Sequence, residues 1–593
     1  MKMHSRCKMD RRDFLKASGL GALSVLGDFS RIEAVAPTAD LILTNGKIIT
    51  VDPKDSIAEA VAVKGGRILE VGTKESIQPT LSRDTKVLDL KGRTVTPGLI
   101  DSHAHLPPFG SREDGSWVNL QGIVSKEEIL EKLSARAQKT PKGKWIYAWG
   151  IEDLSHSFLN KNELDRITKE HFLLVVHTGG QWGFANSRAL QIASINADTP
   201  DPSGSRVEKS PLNREPTGLL VHYPALFLVR KHMPVLDDEQ AKNRILFAAR
   251  LYVAEGVTTV HDNFFFVTEI GSGSFAKAYL ELMRSDRMPL RMKLWPYIPN
   301  LPEGKRIHNE IFRSKDLSKD PHLRDLALCR REQPDLFASI WGGFKVATDG
   351  GGPTSLWYNN HRSLPLHTKE ELHDLVKLFH QASQPISVHA GGDQAVDLTL
   401  DALAAAIRED PRKDHRHRIE HALCPIPNTL KRIRDLGVVI STHPQWIFSW
   451  GDKWKFQRFE AEGRGTIPLR SYLQMGIPVA MGADPPAFPL YQPQTALWQA
   501  QVRTSKGGMR YSPSESISIR EALRIQTMGG AYAAFQEKEI GSIEKRKFAD
   551  LAVWDKDFLT VPTNAIKDVK AEGTILGGKI VYKSSQTVLS WPD

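Results

Sequence analysis

Cysteine is scarce in this chain, and its scarcity excludes two kinds of site. Three cysteines occur among 593 residues, at Cys7, Cys329 and Cys424. Residues so far apart form neither a Cys-x-x-Cys metal motif nor the disulfide framework of a small secreted domain. We therefore expect the fold to depend on a packed hydrophobic core and not on covalent cross-links.

Excess charge is also limited. The formal net charge is +10, and residues 1–36 hold seven Lys or Arg and four Asp or Glu, which leaves +7 for the rest of the chain. This surplus is spread over more than 500 residues with no long Lys/Arg run. The composition therefore does not indicate a nucleic-acid partner.

Long apolar runs are absent, and the longest candidate near the N-terminus is short. The weakly apolar stretch from Ala17 to Gly27 is about eleven residues, whereas a helix needs about 20 to cross a bilayer. Arg11 and Arg12 precede it in "MDRRDFLKASGLGALSVLG". This pattern resembles a twin-arginine (Tat) signal, although a basic N-terminal helix is the alternative interpretation.

The twin-arginine resemblance implies that residues 1–36 are an export segment. The expected partner is the Tat export machinery, the expected location is the periplasm, and no membrane span is expected in the mature chain. Ala34-Val35-Ala36 resembles a cleavage site, but Pro37 follows directly, so the cleavage position stays open.

Both ends of the remaining chain predict short β-strands. Residues 37–95 contain "DLILTNGKIITVD" and "AVAVKGGRILEVG", and residues 540–593 contain "ADLAVWDKD" and "GTILGGKIVYK". Asn-Gly and Gly-Gly pairs between apolar runs are typical of hairpin turns. We expect the two ends to build one small β domain around a large central insertion.

The central residues 96–539 predict an α/β fold, because strand-like runs alternate with helical ones. Eight such runs end in turn-like or polar residues, the number that closes a (β/α)8 barrel (TIM barrel). An inserted subdomain of about 106–240 is expected after the first strand, because the first two runs are too far apart for one helix. The runs are "TVTPGLIDSHAH", "GVTTVHD", "RMKLWPYI", "GFKVATDGG", "PISVHAGGD", "HRIEHA", "GVVISTHP" and "IPVAMGADP".

Chemically active side chains stand at the ends of five of these runs. In a closed barrel those ends converge on one mouth. Each residue alone has an ordinary explanation: a hydrogen-bonded core histidine, a snorkelling lysine or an aspartate in a turn. Together they predict a metal site, and imidazoles with a carboxylate suit Zn²⁺ and similar divalent ions. The residues are His103, His105, Lys345, His389, His421 and Asp484.

The sequence resembles the amidohydrolase superfamily and, within it, the amidohydrolase 3 (YtcJ-like) family. Resemblance extends from Asp40 to about Lys583. The motifs that carry it include "DLILTNGKIIT", "TVTPGLIDSHAHL", "AEGVTTVHD", "SVHAGGDQAVDLTLDAL", "RHRIEHA" and "GSIEKRKFADLAVWDKD". The family implies a metal-dependent (β/α)8 barrel with a β-sandwich built from both termini.

The resemblance also implies a role for each residue. His103 and His105 would bind the more buried metal, and Lys345, carbamylated by CO2, would bridge two ions, expected to be Zn²⁺. His389 and His421 would bind the second ion. Asp484 would bind the first ion weakly and shuttle the proton while a metal-bridging hydroxide attacks the C–N substrate.

Three residues are candidates for substrate binding, and two of them depart from the family pattern. Gln181 replaces a histidine that is common in relatives, Trp182 follows it, and His443 stands where glutamine is frequent. His261 is expected to be structural, whereas the role of His177 stays open. Mouth-side tryptophans are candidates for an aromatic pocket wall, with core packing as the alternative; they are Trp182, Trp357, Trp446 and Trp450.

Three functions remain open from the sequence. The leading prediction is a metal-dependent hydrolase of an amide or cyclic amide in a small molecule. A deaminase of an aminated heterocycle would use the same site, and an exported non-catalytic binding protein is the third option. Self-association as a homo-oligomer is compatible with all three.

Overall fold

Eight parallel strands follow one another along the chain, and each coincides with one of the eight apolar runs, although the second strand extends beyond its run. The structure is a computed structural model. It describes residues 37–592 except 153–157, 266–272, 317, 352–353, 359–363, 454–455 and 463–464, so the predicted export segment lies outside the described residues. The strands are Leu99–Ala104, Val257–Phe265, Arg291–Pro296, Phe344–Ala347, Ile386–Ala390, Arg418–His421, Val439–Thr442 and Val479–Met481.

These strands form two hydrogen-bonded sheets. Val257–Phe265 lies between Leu99–Ala104 and Arg291–Pro296 in a three-stranded sheet, and the other five strands pair in chain order. All of these pairings are parallel. The carboxyl ends of neighbouring strands therefore lie on the same side of each sheet.

The two sheets contact each other at both edges. At one edge the Ile298 amide donates to the Lys345 carbonyl at 2.8 Å. At the other edge the Asp484 amide donates to the His103 carbonyl at 2.7 Å. Three of these four residues are predicted site residues, so the backbone contacts between the sheets also position the site.

Helices separate most of these strands, which confirms the predicted α/β class. Asp238–Val253 shows why such a helix forms. Asp237 and Gln240 make reciprocal capping hydrogen bonds at its start, which satisfy backbone amides that have no partner within the helix. Ala241, Ile245 and Ala248 recur at helical spacing and are buried, so one face packs on the strands.

The helices that follow the second parallel strand are similar in length to Asp238–Val253 or shorter. Among the described residues, no helix is both long enough and apolar enough to cross a membrane. They are Gly273–Arg284, Leu301–His308, Pro321–Glu332, Pro334–Ile340, Lys369–Gln381, Asp393–Glu409, Pro427–Leu436, Trp446–Trp450, Phe456–Ala461, Leu469–Gln474, Pro493–Val502, Ile519–Arg524 and Gly530–Ala533.

The two ends of the chain share one sheet. Leu551–Trp554 pairs antiparallel with Thr94–Pro97. This pairing joins three C-terminal strands and three N-terminal strands into one six-stranded sheet. The sheet order is Lys579–Lys583, Ala571–Leu576, Leu551–Trp554, Thr94–Pro97, Lys47–Ile49 and Ile57–Ala58. A second sheet has the order Arg67–Gly72, Ala60–Lys64, Leu41–Thr44 and Lys86–Asp89. Buried apolar residues from both sheets form one cluster.

The long segment between the first two parallel strands folds around a sheet of its own. One of its six strands is Phe172–His177, formed by the apolar run "FLLVVH". The order is Arg206–Lys209, Pro216–Val221, Trp182–Ala185, Phe172–His177, Trp145–Ile151 and Val118–Asn119. Its helices are Leu106–Glu113, Lys126–Lys139, Lys161–Ile167, Ser187–Ile192 and Tyr223–Arg230. Two apolar clusters cover this sheet.

Candidate metal and substrate site

One cavity collects the six residues predicted to hold metal. Its wall includes side chains from the strand ends, from the inserted sheet and from the loop after Asp484. The six predicted residues that line it are His103, His105, Lys345, His389, His421 and Asp484. These residues come from five different strand ends, so their convergence depends on the tertiary fold.

His103 near the end of the first parallel strand and His105 directly after that strand place two imidazoles beside one carboxylate. His103 and His105 are two residues apart, and side chains at that spacing in a strand lie on the same face. The Oδ1 atom of Asp484 is 3.5 Å from His103 Nε2 and 2.8 Å from His105 Nε2. Ligand atoms of these three residues all lie within 4.8 Å of one another, close enough for a single ion.

A second pair of imidazoles comes from His389 in the fifth parallel strand and His421 in the sixth. His421 Nε2 and His389 Nδ1 are 2.7 Å apart. The ring centroids of His103 and His421 are 4.9 Å apart. The second pair therefore adjoins the first, and all four imidazoles lie in one cluster.

Glu420 fixes the orientation and tautomer of His103. The two side chains are fully buried, and His103 Nδ1 is 2.5 Å from Glu420 Oε2. Burial alone would raise the pKa of Glu420, but the neighbouring charges of Arg418 and Lys345 outweigh it and lower that pKa. An ionised carboxylate only accepts, so His103 Nδ1 donates and the lone pair on Nε2 faces the Asp484 side.

A second hydrogen-bonded chain fixes the tautomer of His421. His443 Nδ1 is 2.8 Å from the Gly482 carbonyl and must donate to it. His443 Nε2 therefore accepts from His421 Nδ1, at 2.9 Å. Burial lowers the pKa of His443 and holds that of His421 well below its usual range, which keeps both rings neutral. The lone pair on His421 Nε2 is left for the cavity.

The side chain of Lys345 is buried among these groups. Its Nζ has no hydrogen-bond partner within the described ranges. Burial lowers the pKa of its amine from 10.5 to about 8. An amine of this kind is neutral far more often than a surface lysine, which is the condition for reaction with CO2.

These observations fit a divalent metal. The cluster supplies imidazole nitrogens, two of them with their lone pairs directed by hydrogen bonds, together with a carboxylate and an unpartnered buried amine. Nitrogen and oxygen donors of this kind suit Zn²⁺ and similar ions. His443 also lies within ligand distance of His103 and His421, but both of its ring nitrogens already take part in hydrogen bonds.

The candidate substrate residues divide into two groups. Gln181 lines the cavity, whereas Trp182 does not appear among the described lining residues. Trp182 begins the strand Trp182–Ala185, is fully buried, and stacks on His177 at 4.6 Å between ring centroids. The prediction that Trp182 contacts substrate is therefore corrected, because its ring packs in the core of the insert.

His443 and His261 have internal partners. His443 lies behind His421 and is not among the described lining residues, so its position differs from the predicted substrate contact. His261 is fully buried, and its Nδ1 is 3.0 Å from Arg418 Nη1, in line with a structural role. Trp446 and Trp450 line the cavity, whereas Trp357 packs on Phe459 at 4.8 Å between ring centroids.

Several site residues were not singled out from the sequence. Glu420 is the clearest, and its signal was available: a buried strand with Arg418 and Glu420 two residues apart implies a paired, inward-facing charge. Asp349 accepts hydrogen bonds from the backbone amides of Gly391 and Gly392, both at 3.0 Å. Its burial raises the pKa of the carboxyl to about 7. Unpredicted lining residues of the insert and of the third strand end are Trp117, Trp149, Tyr223, Arg230 and Tyr297.

Known proteins resemble this chain along most of its length. The sequence profile described as "Amidohydrolase family" matches residues 86–582. An N-substituted formamide deformylase of Arthrobacter pascens is 28% identical over 92% of this chain and 98% of its own length. The putative amidohydrolase YtcJ of Bacillus subtilis is 27% identical over 91% of this chain and 99% of its own length.

Solved structures show the same fold. An uncharacterized metal-dependent hydrolase from Pyrococcus horikoshii has a TM-score of 0.65 and 21% identity, covering 88% of this chain and 99% of that one. A metal-dependent hydrolase from Pyrococcus furiosus has a TM-score of 0.62 and 22% identity, covering 88% of this chain and all of that one. Because the family profile covers most of the sequence, the chain belongs to the amidohydrolase family.

Proposed function

We propose that this hydrolase cleaves the C–N bond of an amide in a small molecule, with a divalent metal centre at the carboxyl ends of the parallel strands. The observation that carries the proposal is the convergence of four imidazoles, Asp484 and the unpartnered amine of Lys345 on one cavity. The formamide-cleaving relative from Arthrobacter pascens supports the amide class. We also propose that the eight strands close into a (β/α)8 barrel, which the contacts at both sheet edges support.

The proposed centre holds two ions, zinc in the first instance. His103 and His105 would hold one ion with Asp484, and His389 and His421 would hold the other. Lys345, as its carbamate, would supply an oxygen ligand to both. When bound, such ions lower the pKa of water toward about 7 and polarise a carbonyl oxygen.

Asp484 is the proposed proton carrier. Its Oδ1 lies 2.8 Å from His105 Nε2, and its side chain reaches the cavity wall. It accepts a proton as water attacks the carbonyl carbon, and it returns the proton to the departing nitrogen. The amine then leaves neutral, and the acyl group leaves as a carboxylic acid that releases its remaining proton to solvent.

Side chains behind the proposed metal ligands orient them and shield one of them from water. Glu420 and His443 hold two imidazoles in the tautomers described above. Trp446 stacks on His421, with ring centroids 5.0 Å apart and planes at 23°. This aromatic face restricts the imidazole to one orientation and excludes water from one side of it.

Metal reconstitution with a substrate panel tests the proposal. Metal-stripped protein is reloaded with Zn²⁺ and assayed on N-substituted formamides, N-acyl amines, cyclic amides and aminated heterocycles. We expect amine and carboxylate from the amides, with activity that depends on the ion. Ammonia released only from the heterocycles would assign a deaminase instead. A folded protein that binds no divalent ion would contradict the metal centre itself.

Export is a further part of the proposal. We propose that Arg11 and Arg12 direct the folded protein through the twin-arginine pathway to the periplasm. Replacing both by lysine, in the full-length chain expressed in a Tat-competent bacterium, is expected to retain the protein in the cytoplasm. Unchanged periplasmic recovery of the lysine variant would contradict this assignment.

A further inference from the structure

The loop that carries Asp484 is held in place by side chains of the insert. This loop, residues 484–488, follows the eighth parallel strand, Val479–Met481. Pro485 and Pro486 have no amide hydrogen, so the loop offers few donors for backbone hydrogen bonds of its own. Its carbonyl oxygens therefore depend on donors from elsewhere in the fold.

Gln121 of the insert donates to two successive carbonyl groups of the loop. Its Nε2 lies 2.6 Å from the carbonyl oxygen of Pro486 and 3.2 Å from that of Ala487. The same nitrogen lies 2.9 Å from the hydroxyl oxygen of Thr178, and the Thr178 hydroxyl itself donates to the Ala487 carbonyl. Two polar side chains of the insert thus converge on one short stretch of the loop.

Arg112 donates to the same loop and orients Gln121. Its side chain is 2% exposed, and its Nε donates to Glu113 at 2.6 Å. Its Nη1 lies 3.2 Å from the carbonyl oxygen of Pro486 and 3.0 Å from that of Phe488. The same Nη1 donates to Gln121 Oε1. Because that oxygen accepts from Arg112, the donating Nε2 of Gln121 is turned toward the loop.

The strand Trp145–Ile151 of the insert leaves room for this contact. Gly150 has a φ of 108°, and a Cβ atom there would lie 2.5 Å from Gln121 Cγ. A side chain at this position would therefore displace Gln121, so glycine is required by both conformation and space. Trp149 adds a third donor from the insert, since its indole Nε1 lies 3.2 Å from the Pro486 carbonyl oxygen.

The other side of the loop is tied to the first parallel strand. The Asp484 amide donates to the His103 carbonyl at 2.7 Å, and the His105 amide donates to the Pro485 carbonyl at 3.0 Å. Asp484 has a φ of 57°, a left-handed conformation that residues other than glycine adopt infrequently and that the surrounding contacts must hold. The position of its carboxylate therefore depends on the hydrogen bonds on both sides of the loop.

On the basis of the proposed amide hydrolysis, we propose that Gln121 and Arg112 are positioning residues for Asp484. Neither side chain is among the described residues that line the cavity, so both act through the loop. They keep the carboxylate within hydrogen-bond reach of the attacking water and of the departing nitrogen. A displacement of about 1 Å is enough to cost about a hundredfold in rate, so the effect is expected in kcat more than in KM.

Two formanilides with different leaving amines test the proposal on zinc-loaded protein. The probes are 4-methoxyformanilide and 4-nitroformanilide, which release a more basic and a less basic amine. In Gln121→Leu we expect kcat for the methoxy probe to fall about tenfold or more, with KM changed by less than about twofold. The loss should be smaller for the nitro probe, as in Asp484→Asn, because a weakly basic amine needs less proton donation. A loss confined to KM, or one equal for two probes that Asp484→Asn distinguishes, would overturn the proposal.

Four further variants separate these hydrogen bonds from general damage. Arg112→Met should act like Gln121→Leu, and Arg112→Lys should recover part of the rate, because lysine also donates to carbonyl oxygens. Thr178→Val removes one donor to the loop at nearly constant volume and should give a smaller loss of the same kind. Gln191→Leu, at an exposed glutamine of the helix Ser187–Ile192, is the matched control and should leave both rates unchanged.

A double variant shows whether Gln121 acts through the carboxylate. Once Asp484→Asn has removed that group, the addition of Gln121→Leu should change kcat by less than about twofold, because residues that act as one unit are not additive. The same fold loss from Gln121→Leu in both backgrounds would assign Gln121 a general structural role and overturn the proposal.

Hydrogen exchange in metal-free protein examines the loop without substrate or ion. The Asp484 amide, bonded to His103, and the Ala487 amide, which donates to the Asp484 carbonyl at 2.9 Å, both report on it. We expect both amides to exchange at least about tenfold faster in Gln121→Leu and at the parental rate in Gln191→Leu.

This measurement distinguishes the inference from the function on which it rests. If the parent protein hydrolyses neither probe, formanilide hydrolysis fails, and the exchange rates decide the inference. Faster exchange of the two loop amides in Gln121→Leu would then support the positioning of Asp484 by the insert, and unchanged exchange would overturn it.

Discussion

Glu420 Oε2 lies 2.5 Å from His103 Nδ1 at a position where both side chains are fully buried. The same carboxylate is 2.5 Å from Arg418 Nε through its other oxygen. One buried acid thus neutralises a buried guanidinium and directs an imidazole of the site. Any change at Glu420 therefore affects stability and metal binding together.

Replacing Glu420 by glutamine tests both effects in one variant. Glu420→Gln keeps the shape but removes the charge, so Arg418 is left as an uncompensated buried cation. We expect a loss of about 3–5 kcal/mol in the free energy of unfolding and a loss of about ten- to hundredfold in zinc affinity. Urea unfolding and chelator competition measure the two quantities, and the exposed Glu131→Gln should change neither. Zinc affinity equal to that of the parent would show that Glu420 does not direct His103.

His443 offers a second test of imidazole orientation. In His443→Leu the Nδ1 of His421 loses its acceptor, so the tautomer that leaves Nε2 unprotonated is no longer favoured. We expect zinc affinity to fall about tenfold or more. His443→Gln should restore most of it, because a glutamine oxygen accepts the same hydrogen bond. If leucine and glutamine weaken zinc binding equally, the hydrogen bond to His421 is not the cause.

The sequence predicted those site residues that are of a metal-binding type and stand at the end of a predicted strand. His103, His105, Lys345, His389, His421 and Asp484 all follow apolar runs, and parallel strands bring such ends to one side. Their metal-binding roles stay predictions. The partners behind them were harder to find, because Glu420 lies 317 residues from His103 along the chain and no local pattern relates the two.

The insert was the least predictable region for a different reason. A shift of one residue in the register of a strand moves every side chain to the opposite face. Gln181 precedes the strand Trp182–Ala185 and reaches the cavity, whereas Trp182 is turned into the core with Phe184. The sequence shows that a tryptophan is present but does not show the register of its strand.

Lys345 predicts a pH dependence for the activation of metal-free protein. Carbamate formation needs the neutral amine, and the pKa of Lys345 is about 8. Below that pH the amine is protonated, so at constant dissolved CO2 we expect activation by Zn²⁺ to be more than about tenfold faster at pH 8.5 than at pH 6.5. The pH dependence should level off once the amine is fully neutral. Carbon-13 labelled CO2 should give a carbamate NMR signal that Lys345→Met lacks, and labelled wild type without that signal would contradict the assignment.

Lys345→Ala extends this test. The variant should lose activity because the proposed bridging oxygen ligand is missing, and acetate or propionate should restore part of it by occupying the space of the deleted side chain. Rescue is expected to saturate with carboxylate concentration and to be absent with ethanol or propanol at the same concentration. An alanine variant with parental activity in the absence of any added carboxylate would remove Lys345 from the proposed centre.

Asp484→Asn separates metal binding from proton transfer. Asparagine keeps the volume of the side chain and an oxygen beside His105 Nε2, and the four imidazoles and Lys345 of the proposed centre are unchanged. Zinc content should therefore stay close to that of the parent. Turnover should fall by about 10²–10⁴-fold, because no carboxylate is left to accept a proton from water and deliver it to the departing amine. Amide substrates with better leaving amines should lose less rate than those with poor ones, since a weakly basic amine needs less proton donation. Parental turnover with intact zinc would assign the proton to another group, and loss of zinc together with turnover would make Asp484 a required ligand instead.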